Sequence, residues 1–500
     1  MALQIRLILL CGLSITGMSL YAEAAAGSLV GGAIRGKPGS NSVIKSSAEW
    51  VKEFLLQHKV AKDKTFVPVK TGAIIVGGAN VSTLAEDRID IRLKVPIIQP
   101  VIVTPSSFAP HQEDDSLERQ LKALERNPLD YRSFGKVAQK CVETACKLPN
   151  CLCGSDAIPG SIPLEETPQI VMITFDDSVN GMNYQLYQSL FNNDRRNPNG
   201  CPIRGTFYVS HEWTDYNLVQ NLYSAGHEIA SHSISHPFPG KNFTQQDWTD
   251  EIAGQRELLA RYAAVRPEDV RGMRAPFLQT GGSNQFEMLW RKGFTYDSSM
   301  IVSSNNPPMW PYTLDYALPH TCNLGACPTK SYPGLWEMPL VPWSDLVGQR
   351  CSMADACHKQ ANANEVYRLL MSNFKRHYQS NKAPFGIYYH AAWFPANGFS
   401  KFLDAILDMP DVWVLTTSQA LQWIQKPTPL AKLNKFQPWS CTNMKRPSPC
   451  VAPKLCTTCY CGGLRGITTC AASCPDSYPW MKNTTLIAPA AANAKSCKKT

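Results

Sequence analysis

Between residues 158 and 424 the chain repeats one pattern: a short apolar run, a loop, then a stretch with apolar residues at helical spacing. Eight runs read as strands, at 170–175, 205–209, 228–231, 270–273, 294–297, 335–340, 385–389 and 412–416. Helical spacing appears between most of them, at 184–191, 218–225, 248–263, 285–292, 364–378 and 399–408. Alternation of this kind builds an α/β fold with a mostly parallel sheet. Eight strands over this span fit a distorted (β/α) barrel, for which ~250 residues is typical. A doubly wound open sheet would use the same elements. In either architecture the first strand-to-helix turn carries Asp176-Asp177-Ser178 where a nucleotide-binding fold would place a glycine-rich phosphate loop, which argues against nucleotides.

The cysteines set the compartment. Eighteen is too many for a reducing cytosol, and they are clustered: Cys11 alone, four in 141–153, Cys201, four in 322–357 and eight in 441–497. Residues 1–26 read as a secretory signal peptide, with a basic start, an apolar stretch at 7–22 and the small-residue site Ala22-Glu23-Ala24. Its removal leaves an odd cysteine count, with Cys497 in the basic terminus as the candidate leftover. Asn80, Asn242 and Asn483 head glycosylation triplets that suit a secreted chain. Beyond the leader no apolar run reaches the ~18 residues that span a bilayer, so no membrane contact is expected after cleavage. A net charge of +9 from 49 basic and 40 acidic residues is mild and scattered, so no nucleic acid is expected as a partner.

The cysteine-free segment 27–140 has little regular pattern. A capping-box sequence at Ser46 and Glu49 predicts a short helix there, and Leu117, Leu121 and Leu124 predict another after Ser116. Between them 95–105 reads as extended linker or edge strand, and the segment as a whole yields no function.

Chemistry-bearing residues fall where the strands end. Asp176 and Asp177 close the first apolar run; because successive strand side chains face opposite ways, both can serve one centre only at the rim. His232 and His236 follow the third strand, spaced to share one helical turn that Pro237 ends. Two imidazoles and a carboxylate suit zinc and related divalent ions, and three protein ligands leave room for water, as in catalytic sites. The same donors describe a non-haem iron(II) oxygenase, but neither its close His-x-Asp pair nor a β-sandwich pattern occurs. Arg274 follows the fourth strand, Trp336 to Trp343 the sixth, and Tyr388 to His390 the seventh. Singly each has an ordinary structural explanation; together they mark the end of a barrel where active sites form.

In order, Thr-Phe-Asp-Asp at 174–177, His-Ser-Ile-Ser-His at 232–236, Arg-Ala-Pro-Phe at 274–277, the tryptophan segment 336–343 and His390 resemble the five motifs of the polysaccharide deacetylases of the NodB-homology type, carbohydrate esterase family 4. The cysteine spacing at 141–153, Asn197 to Cys201, the segment 274–282, Cys351-Ser-Met-Ala-Asp-Ala-Cys357 and His390-Ala-Ala-Trp-Phe394 resemble the animal chitin deacetylases within it. The resemblance runs from about 141 to 483. It implies a metal-dependent N-deacetylase acting on chitin or another N-acetylglucosamine polymer, in an extracellular matrix whose proteins are further candidate partners.

By that resemblance Asp177, His232 and His236 hold the metal, zinc first and cobalt or another divalent ion next. Asp176 is the general base, Arg274 fixes it, His390 is the acid for the leaving amine, and the Phe277 backbone N–H meets the oxyanion. Trp343 and Tyr388 are expected to wall a pocket for the acetyl methyl. The resemblance also divides the chain into the leader 1–26, the segment 27–140, a catalytic domain at 141–440 and a cysteine-rich extension at 441–500 packed on it. In disulfide pairing, Cys322–Cys327 and Cys351–Cys357 are the simplest local choices.

Two departures matter. Many family members have an aspartate before the fourth-motif tryptophan, whereas here Glu337 is the only nearby acid, and Tyr388 replaces a leucine. Both bear on how His390 is tuned and on the acetyl pocket. The alternatives are a catalytically weak or inactive chitin-binding matrix protein, which should have lost a key aspartate or histidine, and a deacetylase of a different glycan.

Overall fold

A computed structural model describes residues 112–482 except 304, 305, 443, 461 and 462. All of these belong to one compact unit, 109–500. The predicted signal peptide, the predicted helix after Ser46, the stretch 95–105, Asn80, Asn483 and Cys497 lie outside the described residues. The predicted helix after Ser116 is present within Gln112–Ala123.

The first strand organises the rest. β1, Gln169–Asp177, is buried along nearly its whole length, which is why its sequence is an unbroken apolar run rather than an alternating one. Ile170 and Met172 point into one apolar cluster, Val171, Ile173 and Phe175 into another. The first cluster fills the inside of the curled sheet with Tyr208, Ala230, Tyr296, Trp336 and Trp413. The second packs the outside of the sheet against the helices. In chain order the sheet continues with β2 (Thr206–Val209), β3 (Glu228–Ser231), β4 (Gly272–Met273), β5 (Tyr296–Asp297), β6 (Tyr312–Thr313), β7 (Trp336–Glu337), β8 (Phe385–His390) and β9 (Val412–Leu415).

The spatial order is β8-β1-β2-β3-β4-β5-β7-β6, with β9 also paired to β1. Every pair is parallel except β6 with β7. This is the distorted barrel expected, with one difference: the fourth to sixth predicted strands keep only two ladder residues each. Prolines and loop-forming polar residues around them hand the chain to turns instead. Parallel pairing aligns the C-terminal ends: Asp176 lies opposite His390, Asp177 opposite Val209, Val209 opposite Ser231, and Ser231 opposite Met273. Five strand ends therefore present one rim.

Among the described residues no helix is long and apolar enough to cross a membrane. Among the described residues seven disulfides have both partners: Cys141–Cys153, Cys146–Cys151, Cys201–Cys441, Cys322–Cys327, Cys351–Cys357, Cys450–Cys470 and Cys456–Cys474. Both local pairings expected from spacing are among them. Beyond the barrel, the hairpin β10 (Lys454–Tyr460) and β11 (Gly463–Thr469) lies against helix Tyr216–Ser224.

Candidate active site

The backbone answers how two consecutive aspartates serve one centre. Asp176 follows the parity of Ile170, Met172 and Thr174 and faces inward. Asp177 should face the helices, but its φ is +79°, a left-handed turn that swings its carboxylate back over the rim. Ser233 at +75°, His236 at +49° and Phe277 at +57° share that uncommon geometry on the neighbouring loops. Strain of this kind costs roughly 1–3 kcal/mol per residue and persists where the surrounding fold over-determines it.

Asp177 Oδ1 lies 3.6 Å from His232 Nε2 and 3.3 Å from His236 Nε2. One donor atom from each of the three falls within 4.8 Å of the others. His232 Nδ1 lies 2.8 Å from the Arg274 carbonyl oxygen, which can only accept. That fixes Nδ1 as the protonated nitrogen and turns the lone pair of Nε2 toward Asp177. Facing lone pairs repel unless a cation lies between them, so the donor set fits a divalent ion of the zinc class. The loop carrying both histidines is held from behind by Glu251, whose carboxylate accepts from the N–H groups of Ile234 and Ser235 at 2.9 Å each and from the Ser235 hydroxyl. Glu251 sits in a π-helical turn, Thr249–Ala253, between two α-helical segments.

Beside this cluster Arg274 Nη1 donates to Asp176 Oδ1 at 2.6 Å, with both side chains buried. The guanidinium also bonds Thr174 Oγ1, the Ser298 carbonyl and the Ser298 hydroxyl. It lies over the ring of Tyr208 at 4.0 Å and that of Tyr388 at 5.0 Å. Few of its donors are left unmatched, as a buried arginine requires.

His390 brings a third element. Its Nε2 lies 4.0 Å from Asp177 Oδ2. On its far side Nδ1 meets Asp355 Oδ2 at 2.7 Å, and the same oxygen accepts from the His390 backbone N–H at 2.7 Å. Burial disfavours the imidazolium, but the Asp355 hydrogen bond and the Asp177 charge outweigh it and raise the pKa to about 9. The Asp355 contribution is independent of the cluster around Asp177.

Not every predicted site residue comes to this rim in the manner expected. Trp343, read as a pocket wall, faces the other way. Its indole stacks on Phe385 at 5.2 Å, donates to the Gly386 carbonyl and belongs to the core between sheet and helices. The parity of β8 explains this, because Phe385 is an outward residue while Gly386, Tyr388 and His390 point in. Tyr388 does reach the inside, where its hydroxyl donates to the Pro339 carbonyl and its ring lies against Arg274. A Cβ at position 386 would come within 1.9 Å of the Tyr388 hydroxyl, so glycine there makes room for the ring. Phe277 is 37% exposed, edge-on to His236 at 4.7 Å. Asn242 lies on the surface.

Glu337, the acid within the fourth motif, does not approach His390. It is buried on the outer face of the sheet next to Asp297, its cross-strand neighbour. The acid at His390 is Asp355, from the loop closed by Cys351–Cys357. Sequence reading missed both Asp355 and Glu251. The first had a faint signal, a lone acid between two closely spaced cysteines; the second, an acid in an amphipathic helix, had none.

Acids, imidazoles and an arginine gathered on the C-terminal rim of a parallel barrel form the kind of site on which hydrolytic enzymes of this fold class rely. Residues 164–283 match the polysaccharide deacetylase family. The chain is 38% identical over 386 residues to chitin deacetylase 1 of Bombyx mori, covering 72% of this chain and 71% of that protein. It is 35% identical over 367 residues to chitin deacetylase 8 of the same moth, covering 69% and 93%. The solved peptidoglycan deacetylase PdaC of Bacillus subtilis aligns over 56% of this chain and all of that one, at 16% identity and a TM-score of 0.31. The chain belongs to the polysaccharide deacetylase family and is a deacetylase hydrolase.

Proposed function

We propose that the chain is a secreted, divalent-metal-dependent chitin deacetylase that converts N-acetylglucosamine units to glucosamine and so remodels an extracellular matrix. The observation that carries this is the convergence on one rim of the Asp177/His232/His236 donor cluster, the Asp176–Arg274 pair and the Asp355–His390 pair. Support for the substrate comes from the two moth chitin deacetylases, whose similarity extends well beyond residues 164–283. Support for secretion comes from the leader-like start and from seven disulfides spread over 141–474, which persist in an oxidising compartment.

Asp177, His232 and His236 would hold a divalent cation, zinc by its donor chemistry, which when bound would polarise the amide carbonyl and lower the pKa of water. Asp176, held in place by Arg274, accepts a proton from the water as its oxygen bonds to the carbonyl carbon. The Phe277 N–H donates to the oxygen that becomes negative. His390, kept protonated by Asp355, gives its proton to the amide nitrogen as the C–N bond breaks. Acetate and the free amine result. The proton held by Asp176 passes to solvent and His390 is reprotonated. Tyr388 keeps the Arg274 guanidinium in place.

Acetate release from chitin oligomers by the purified full chain tests this reading. Activity should vanish with a chelator and return with zinc or cobalt. Binding of chitin without acetate release in the presence of either ion would overturn it in favour of a chitin-binding matrix protein.

A further inference from the structure

Trp213 combines exposure with a left-handed backbone, whereas Trp393 shares only the exposure. Trp213 is 67% exposed, and its φ of +67° is costly for so large a side chain. Nothing about packing explains that conformation, since it turns the indole outward rather than into the core. Its position is close to the reacting centre. Residues 210–215 leave the end of β2 and lie on the turn after Asp177. Ser210 N–H donates to the Asp177 carbonyl, Asp215 N–H to the Val179 carbonyl and the Asn180 amide to the Trp213 carbonyl. The other side of the segment is fastened to the cysteine-rich tail. His211, fully buried, bonds Tyr216 and the Pro479 carbonyl and packs against Tyr478 and Trp480. Arg465 of β11 pairs with Glu212 at 3.3 Å and lies over the Trp213 ring at 4.9 Å from its centroid.

We propose that Trp213 is a specificity-determining residue that stacks a neighbouring sugar ring of the substrate chain, and that Arg465 of the tail sets its pose. The guanidinium covers one face of the indole and fixes its plane, leaving the other face to the apolar side of a pyranose ring. Pyranose rings present C–H groups on one face, which an aromatic plane accepts with its negative quadrupole. Trp213 adjoins the turn of Asp177, so a sugar stacked there belongs to the same chain as the unit being deacetylated. Other exposed rings occupy neighbouring strand ends: Trp393, 70% exposed, beyond β8, and Phe238, 67% exposed, beyond β3. Strands β8, β1, β2 and β3 are consecutive in the sheet, so these rings follow neighbouring strand ends of one rim. An occupant several sugars long meets such an arrangement; a single N-acetylglucosamine does not. The proposal rests on the glycan reading above and assigns the tail a task in substrate choice.

The test compares kcat/KM for the chitin hexamer and dimer in wild type, Trp213→Ala, Trp213→Tyr and Arg465→Ala, with hexamer binding measured by calorimetry in parallel. For Trp213→Ala the hexamer-to-dimer ratio of kcat/KM should fall about fivefold, the scale of one aromatic contact. Trp213→Tyr should restore most of it, and Arg465→Ala should lower it by a smaller factor. An unchanged ratio in Trp213→Ala, or loss in Trp213→Tyr as deep as in Ala, overturns the proposal. If wild type releases no acetate at all, the deacetylase reading fails instead and calorimetry decides alone: tighter hexamer binding by wild type than by Trp213→Ala upholds stacking, and equal binding overturns it.

Discussion

Two buried aspartates on opposite faces of the same sheet have different partners and meet different fates. On the inner face Asp176 is matched with Arg274, and on the outer face Asp297 is matched with Glu337. They are linked through Ser298 and Ser299. Ser298 receives the Arg274 guanidinium, while Ser299 donates to both Asp297 oxygens and its own hydroxyl accepts from the N–H of Ala275. A buried carboxylate can be kept charged by an adjacent cation; two buried carboxyls side by side cannot both ionise and must retain a proton. Burial pushes Asp297 up to about 6, and burial together with the Asp297 charge pushes Glu337 well above the usual carboxylate range. The inner pair thus sets an acid against a cation at the reacting centre, and the outer pair is a hydrogen-bonding scaffold that positions the Arg274 loop.

Substitutions that remove charge without changing shape separate the two. Asp176→Asn keeps the volume and removes the base, so acetate release should fall by about 10²–10⁴-fold, with the circular dichroism of the folded chain unchanged. Retained activity would show that Asp176 is scaffold too, and the contrast between the faces would collapse. Asp355→Asn comes next. It leaves a hydrogen-bond acceptor for His390 but removes the charge that favours the imidazolium, so kcat should fall by about 10- to 100-fold, the scale of lost outer-shell partners. KM should change less, because Asp355 acts on the proton donor and not on the glycan. A variant with normal kcat would mean that His390 does not depend on the disulfide-closed loop for its proton.

The inner face was legible in the sequence and the outer was not, for a physical reason. Asp176, Asp177, His232, His236, Arg274 and His390 each follow an apolar run, and parallel pairing in a barrel brings such ends together whatever the loops do. Partners supplied by other parts of the chain leave no such trace. Asp355 comes from a loop with no periodicity, and Glu251 reaches the histidine loop from a helix that takes a π turn. Trp343 was misplaced because its motif position suggested the site while the alternation along β8 put its stacking partner, Phe385, outside. Glu337 is a related case. An acid beside a family motif invites a catalytic role, and only the register, which sets it opposite Asp297, turns it toward the scaffold.

The smallest expected effect is therefore the most discriminating. Glu337→Gln replaces one carboxyl with an amide that can donate and accept as the protonated acid does, so activity should stay within about twofold of wild type and stability at pH 5 within about 1 kcal/mol. The pH dependence carries the information. Both carboxyls have folded pKa values raised above their unfolded ones, near 4, so the folded wild type holds protons that the unfolded chain has released. Its stability falls as pH rises through the range from about 4 to 6 and beyond, as the shared proton becomes harder to keep. Arg274, the nearest cation, opposes this for Asp297 but already serves Asp176. Removing one acid lets Asp297 ionise beside that arginine without a like charge next to it. The variant should therefore gain on wild type with rising pH, by about 2 kcal/mol between pH 5 and pH 8. Thermal melts of both proteins at the two pH values measure this directly. A difference that stays flat would mean that the outer pair holds no shared proton.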